Sequence, residues 1–397
     1  MSSKMVIRFI ICIIDVLLLV SCSKGKTTIE VDQPSNTHTE SPSSTQFLHG
    51  TDSLPIASVA SKNTPTITPS PPPKETVTPK PHLQGQFIFV ADGDIYMYDA
   101  ACSEPYGNCN TDWVKLTDTP GNEYSFAVEY SHCLEQITAS PDGKYVAFAY
   151  RPPGENNNSC DGGWDIYMIE VDECIAIENG CPSEKFIRLT DDPADDLSPD
   201  WSPDGKSIVF VSTRGPYQFN PRALYTMNED GTEQKPLLRE DIHVGQPHTP
   251  DWSPDGKNII FSADVFPQGE YHPSSLLYET SVDGNAITQI TSLPDNEEIN
   301  KIDQRPQYSP SGDLIAFEAN RESSSDIYTI TPYGSEIERI TSHGYYPSAP
   351  HWSPDGEKIA YLNSSPNGMS LFVVNRDGSG REALIYLTGI LSFIWIP

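Results

Sequence analysis

Apolar and polar positions along this chain alternate in short runs bounded by turn residues, and no segment of the mature chain keeps a helical period. One pattern returns five times. A strand-like run ends in W-S-P-D-G at residues 201–205, 252–256 and 352–356, with looser copies A-S-P-D-G at 139–143 and Y-S-P-S-G at 308–312. Pro sets φ for a tight turn and Gly takes its positive-φ position. A second run rich in Ile, Val, Phe and Tyr follows at 145–150, 208–211, 259–261, 314–317 and 359–362. A third carries an aliphatic-aromatic pair, as in Ile166-Tyr167, Leu224-Tyr225, Leu277-Tyr278, Ile327-Tyr328 and Leu371-Phe372. Asp-Gly turns at 230–231, 283–284 and 377–378 are of the hairpin kind and lead to a fourth run ending in a Leu/Ile-Thr step: Leu189-Thr190, Ile290-Thr291 and Ile340-Thr341. The repeated serines, Ser140, Ser202, Ser253, Ser309 and Ser353, are 62, 51, 56 and 44 residues apart. Four strands at a period near 40–50 residues predict an all-β propeller.

The two ends of the array complete each other. Residues 87–90, Asp94-Ile95-Tyr96 and Lys115-Leu116-Thr117 read as strands two, three and four of a unit that lacks its first strand. The final residues, 391–397, supply it, because Trp395 lies 43 positions after Trp352 and keeps the register. Five whole units and one split unit give six blades, with the split blade closing the ring and removing its open sheet edges.

The repeats resemble those of the TolB family of bacterial envelope propellers, whose units carry W/F-S-P-D-G, an I-A-F strand and a D-I-Y strand. The resemblance covers residues 86–397 and implies the propeller fold. The separate N-terminal α/β domain of TolB is absent from this sequence. Similar repeats occur in propellers of prolyl-oligopeptidase-like enzymes, tricorn-type proteases and oligogalacturonide lyases, so the fold alone does not fix an activity.

Ahead of the repeats, residues 1–21 read as a lipoprotein signal peptide. Lys4 and Arg8 precede an apolar run from Phe9 to Val20, interrupted by Asp15, and then Leu19-Val20-Ser21-Cys22. That last step resembles a lipobox, which implies acylation at Cys22 and a protein anchored to a bacterial membrane, at the outer membrane or cell surface. Residues 22–85 are rich in Ser, Thr and Pro, have too few large apolar residues for a core, and read as a disordered tether. At ~3.1 Å per residue it reaches roughly 190 Å when fully extended as polyproline.

Charge changes the choice of partner. The chain carries a formal −30. The signal contributes +1 (Lys4, Arg8, Asp15) and the tether zero, five lysines against five acids, which leaves −31 on residues 86–397. Nucleic acid and anionic headgroups are disfavoured, and membrane attachment is expected only through the lipid. A basic envelope or extracellular protein, a divalent cation or a neutral glycan remains compatible, as does simple solubility of a monomer.

Six cysteines fall in the first third of the propeller. Cys102/Cys109 and Cys174/Cys181 share a C-x6-C spacing between strands three and four of their units, which predicts two local staples. Cys133 and Cys160 sit in loops that emerge on one face and are the expected third pair.

The surplus residues of the longer units lie between strands two and three and in the crossings between units. Both sets of loops open on one rim of the central channel. They carry Tyr124, Phe126, Tyr130, Tyr217, Phe219, Phe266, Tyr271, His272, Tyr345 and Tyr346. Aromatics presented on a rigid scaffold hold a sugar ring or a protein hot spot, or else cap the core beneath their loops. No G-x-S-x-G, H-E-x-x-H, P-loop, dinucleotide or calcium-loop motif occurs, so no catalytic residue, metal ligand or cofactor is assigned. The expected function is non-catalytic binding at the long-loop rim. The alternative is a glycan-active or metal-dependent enzyme built on His243, His248, His272, His343 and His351.

Overall fold

A computed structural model describes residues 85–99, 113–119, 134–152, 163–215, 222–239, 242, 244–265, 273–292, 301–321, 325–342, 346–365, 368–386 and 390–397. The chain divides into two compact units, Met1–Lys74 and Glu75–Pro397, and all described residues belong to the second. The signal, Cys22 and the tether up to residue 84 lie outside the described residues.

Six four-stranded antiparallel sheets follow in order, each with its first strand innermost. Blade 1 is the split one: Ile390–Ile396 pairs with Gln86–Ala91, which pairs with Asp94–Asp99 and then Val114–Lys115. Blade 2 comprises Leu134–Ala139, Tyr145–Tyr150, Asp165–Glu170 and Ile187–Arg188. Blade 3 comprises Asp196–Trp201, Ser207–Ser212, Ala223–Asn228 and Lys235–Pro236. Blade 4 comprises Gln246–Trp252, Asn258–Val265, Ser274–Ser281 and Ile287–Gln289. Blade 5 comprises Asp303–Tyr308, Ile315–Ala319, Asp326–Ile330 and Glu338–Arg339. Blade 6 comprises Tyr346–Trp352, Lys358–Ser365, Gly368–Asn375 and Glu382–Tyr386.

The second strands are buried on both faces because each blade is packed between two others, and so they read as continuous apolar runs rather than alternating ones. The core is accordingly divided into apolar clusters, one at each blade interface. The cluster between blades 6 and 1 joins Leu362 and Leu371 to Phe87, Phe393 and Trp395, with the Phe87 and Trp395 rings 4.6 Å apart. This contact closes the ring as the repeat register predicts.

In four of the turns between strands one and two, the Ser hydroxyl donates to the Asp carboxylate two residues on, as Ser202 does to Asp204 at 2.8 Å, and accepts the N–H that opens the next strand. These hydroxyl bonds hold the Asp142, Asp204 and Asp355 carboxyls below the usual carboxylate range, and at Asp255 the Lys257 ammonium leads with the Ser253 hydroxyl second.

Two sequence readings need correction. The fourth strands stop before the Leu/Ile-Thr step, at Arg188, Gln289 and Arg339. The step has a different task. Its Thr hydroxyl accepts the N–H of strand three, as Thr190 does from Ile166 at 2.9 Å, and its Leu or Ile carbonyl seats the next blade's turn. A Cβ on Gly284 would lie 1.8 Å from the Leu237 oxygen, so glycine is required there for space as well as for its φ of 67°. The second correction is a short helix, Val171–Ile175, in the cysteine-bearing insertion of blade 2. The Cys174–Cys181 disulfide is present in that insertion. Cys181-Pro182 pairs in parallel with Thr117-Asp118 of blade 1, and Gly180 packs on Leu116 as Gly284 does on Leu237. The insertion therefore keeps the seat that the shorter turns use. The other four cysteines, Cys102, Cys109, Cys133 and Cys160, lie outside the described residues.

Candidate functional site

The six inner strands surround a central cavity of about 690 Å3. Five of them carry a bulge at the same place, with a non-glycine residue in the left-handed region: Gln136, Ser198, Thr249, Arg305 and Ala349, at φ between 41° and 52°. Left-handed backbone is costly for such residues and persists only where surrounding structure enforces it. In blades 3 to 6 a proline follows (Pro199, Pro250, Pro306, Pro350), which suits a bulge because no ladder N–H is lost.

After the bulge comes the residue just before the terminal aromatic or its equivalent, and this position lines the cavity in every blade. Around the ring it is Thr138, Asp200, Asp251, Gln307, His351 and Ile394, all at one level of the ladder. Asp200 accepts from the Thr138 hydroxyl at 3.0 Å and from the Trp252 backbone N–H at 2.9 Å. Asp251 accepts from the Gln307 amide at 3.0 Å and from the Tyr308 N–H at 2.8 Å. Each carboxylate therefore bridges to the next blade. Channel water reaches part of each side chain, although protein surrounds them on all sides. Burial pushes the Asp200 carboxyl up to about 7. Burial, reinforced by the negative charge of Asp200, raises Asp251 well above the carboxylate range. His351 packs on Phe393 with ring centroids 4.8 Å apart, and burial pushes its imidazole down to about 3, so it is neutral.

A second group sits towards the loop-rich mouth. A guanidinium can only donate, so the His248 Nδ1 accepts from Arg222 while Nε2–H donates to Asp264 at 3.0 Å. Burial acts to raise the Asp264 carboxyl, and the His248 bond with the Arg222 charge outweighs it and holds the group below its usual value. On blade 5, Glu318 receives Arg305 at 2.6 Å, Gln304 at 3.2 Å and Ser325 at 3.0 Å.

Of the rim aromatics, the described one is Tyr346, which opens the inner strand of blade 6 and is 68% exposed, as a contact residue would be. Tyr124, Phe126, Tyr130, Tyr217, Phe219, Phe266, Tyr271 and Tyr345 lie outside the described residues, as do His243, His272 and His343. His248 and His351 both line the cavity, but at different levels. No group of three or more His, Cys, Asp or Glu among the described residues is placed to hold a metal ion. Of the waist residues the sequence singled out His351, whereas Asp200, Asp251 and Gln307 were missed although a signal exists there: the recurrent x-Pro-x-Trp/Tyr before Ser-Pro. Arg222, Asp264 and Glu318 repeat in no other blade and leave no such signal.

Residues 242–389 match the family model described as the TolB beta propeller domain. The Tol-Pal system protein TolB of Francisella tularensis subsp. tularensis (strain WY96-3418) is 30% identical over 61% of this chain and 48% of its own length. The uncharacterized peptidase YuxL of Bacillus subtilis is 26% identical over 56% of this chain and 28% of its own. The chain thus matches less than half the length of either relative. The crystal structure of TolB from Acinetobacter baumannii superposes with a TM-score of 0.57 over 80% of this chain and 68% of its own, at 17% identity. Six blades, repeated turns and these matches make the described residues a six-bladed β-propeller similar to those of the TolB type.

Proposed function

We propose that this protein is a non-catalytic, extracytoplasmic binding propeller, tethered to a membrane through Cys22, that holds an envelope or extracellular protein at its loop-rich rim. The observation that carries this reading is the chemistry of the mouth. Both ring nitrogens of His248 are engaged, by Arg222 and Asp264, and Glu318 is taken up by Arg305, Gln304 and Ser325. A general base needs a free nitrogen or carboxylate within reach of a substrate proton, and these groups are held against one another instead. Tyr346, which opens the inner strand of blade 6, presents an exposed ring to a partner.

The short turns on the opposite rim offer little area, whereas a stable partner buries ~800 Å2 on each side. With −31 on the propeller, a basic partner is steered towards it, and association slows as salt screens the field. Similarity to TolB, a protein named for the Tol-Pal system, supports an envelope partner of this kind.

The test is capture from a solubilised envelope fraction by the immobilised full-length protein. Changing Tyr217, Phe219, Phe266, Tyr271 and Tyr346 together to Ala should leave the melting temperature within a few degrees and reduce capture at least tenfold. Undiminished capture places the site elsewhere. Turnover of a glycan or peptide by the wild-type protein supports the enzyme reading instead.

A further inference from the structure

Blades 3 and 5 carry the same fastener with one difference. In each, an arginine in the loop after strand two reaches the aspartate that opens the inner strand: Arg214 to Asp196 and Arg321 to Asp303. In blade 3 the rest of the guanidinium is engaged as well. Its Nε–H donates to the Ser212 hydroxyl and its Nη1 to Gln234, both at 2.8 Å. Ser212 pairs with Asp196 across the ladder, and the residue that pairs with Asp303 in the same way is Ala319. Blade 5 therefore lacks the accepting hydroxyl, and the Arg321 Nε–H is buried with no hydrogen-bond partner among the described residues.

Blade 5 also holds one cation more. Lys301, with only 10% of its side chain exposed, meets Arg321 on the same Asp303 oxygen, Oδ2, at 3.1 and 3.0 Å. Burial pushes the Lys301 ammonium below its usual value, and Arg321 adds to this against the pull of Asp303. One buried carboxylate thus faces two cations, and an uncompensated buried charge is costly. A further donor comes from blade 4. Ser274 is fully buried, and its hydroxyl has no partner among the described residues. Ser275 bridges Ile302 in parallel, its N–H donating to the Lys301 carbonyl at 2.8 Å. Alternation along both segments puts Ser274 on the face that carries Lys301 and Asp303.

We infer that blades 4 and 5 hold between them a small monovalent anion of the chloride class, received by the Arg321 Nε–H, the Lys301 ammonium and the Ser274 hydroxyl. Two cations against one carboxylate leave a single positive charge to neutralise. The ammonium has a third N–H beyond those directed to Asp303 and the Ser292 carbonyl, and a hydroxyl can donate. The replacement of a serine by Ala319 opens room for about one atom, too little for a phosphate or an organic acid. A water in the same gap would accept the Nε–H but leave the charge standing. The −31 on the propeller opposes anion entry, so affinity rests on these contacts and not on long-range attraction. The site is independent of the binding proposed at the rim.

Chlorine-35 NMR linewidths test the proposal, with sodium chloride titrated into full-length protein in sodium gluconate at constant ionic strength. Wild type should broaden the chloride signal saturably, at one site per chain, and should melt at a higher temperature in chloride than in gluconate. Ala319→Ser gives the Arg321 Nε–H the acceptor that Ser212 provides in blade 3. It should keep the fold and weaken chloride roughly tenfold or more, since hydrogen bonds to charged groups are the strong ones. Ser274→Ala should weaken it less, and Tyr346→Ala at the rim should leave it unaltered. The comparison of chloride with gluconate on wild-type protein holds whether or not a variant folds. Equal melting in the two salts without saturable broadening would mean that water fills the gap. That result, displacement of chloride by equimolar phosphate, or a folded Ala319→Ser with wild-type affinity would each overturn the assignment.

Discussion

Asp196 and Asp200 stand four residues apart on the inner strand of blade 3, yet they are held by opposite means. Asp196 has no side-chain exposure and receives Arg214 through both carboxylate oxygens, at 3.1 and 3.0 Å, with that guanidinium stacked 4.7 Å above the Tyr225 ring. Asp303 and Arg321 repeat the arrangement in blade 5, over Tyr328. Asp200 receives a hydroxyl and a backbone N–H and nothing charged. At the blade shoulder a charge is neutralised from within and locks strand one to the loop after strand two. At the waist the same residue type links neighbouring blades while its charge is left to the channel. Position in the repeat, rather than residue type, decides whether an aspartate is held by a cation or by neutral donors.

Removing the cation should break the first set hardest. Arg214→Ala leaves Asp196 buried and uncompensated, a loss of about 3–5 kcal/mol of stability, read by urea unfolding. Asp200→Asn should cost little or be stabilising at pH 8. The amide oxygen still accepts from Trp252, its nitrogen donates to the Thr138 hydroxyl, and the buried charge is gone. Equal losses in the two variants would mean that the distinction between shoulder and waist has no energetic content.

A smaller effect appears in the dependence of stability on pH. Asp200 is raised to about 7 when folded, so between about pH 4 and 7 the folded state holds a proton that the unfolded chain has released, and stability falls as pH rises. His351 works the other way. It is held down to about 3, so between about pH 3 and 6.5 the unfolded chain holds the extra proton and stability rises with pH. Each slope is at most about 1.4 kcal/mol per pH unit, and the two oppose each other over their shared window. The other groups around the waist are Asp251, which titrates with Asp200, and the ion-paired Asp264 and Glu318 at the mouth. The turn aspartates are depressed when folded, so their contribution is present above about pH 4 and lost only below it. Asp200 and Asp251 together outweigh His351, so wild type should lose stability as pH rises from 4.5 to 6.5, Asp200→Asn should flatten the curve, and His351→Gln should steepen it. Parallel curves for all three proteins would remove the waist groups from the titration.

Much of this fold is legible in the sequence because each blade repeats the same local chemistry. Ser-Pro-Asp-Gly fixes a turn by a hydroxyl-carboxylate bond, the second strands show continuous apolar runs, and Trp395 keeps the register that closes the ring. The fourth strands were less legible. Their last residues belong to a seat for the neighbouring blade, and that contact is a property of the ring rather than of the segment. The Cys174–Cys181 staple followed from its spacing, whereas its docking on Thr117 needed the neighbouring blade in place. The waist was written in plain sight as Pro-Asp-Trp, yet an aspartate beside a tryptophan reads as one more turn residue until six inner strands bring those positions together.

The most direct test of the two-set account is a carbon-13 NMR titration of the Asp carboxyl carbons, with Asp200 and Asp251 assigned through their Asn variants. The account predicts that the pair takes up a proton near neutral pH, in coupled steps well above the carboxylate range. Titration of both carboxyls at about 4 would contradict it, because the waist carboxyls would then be no different from solvated ones.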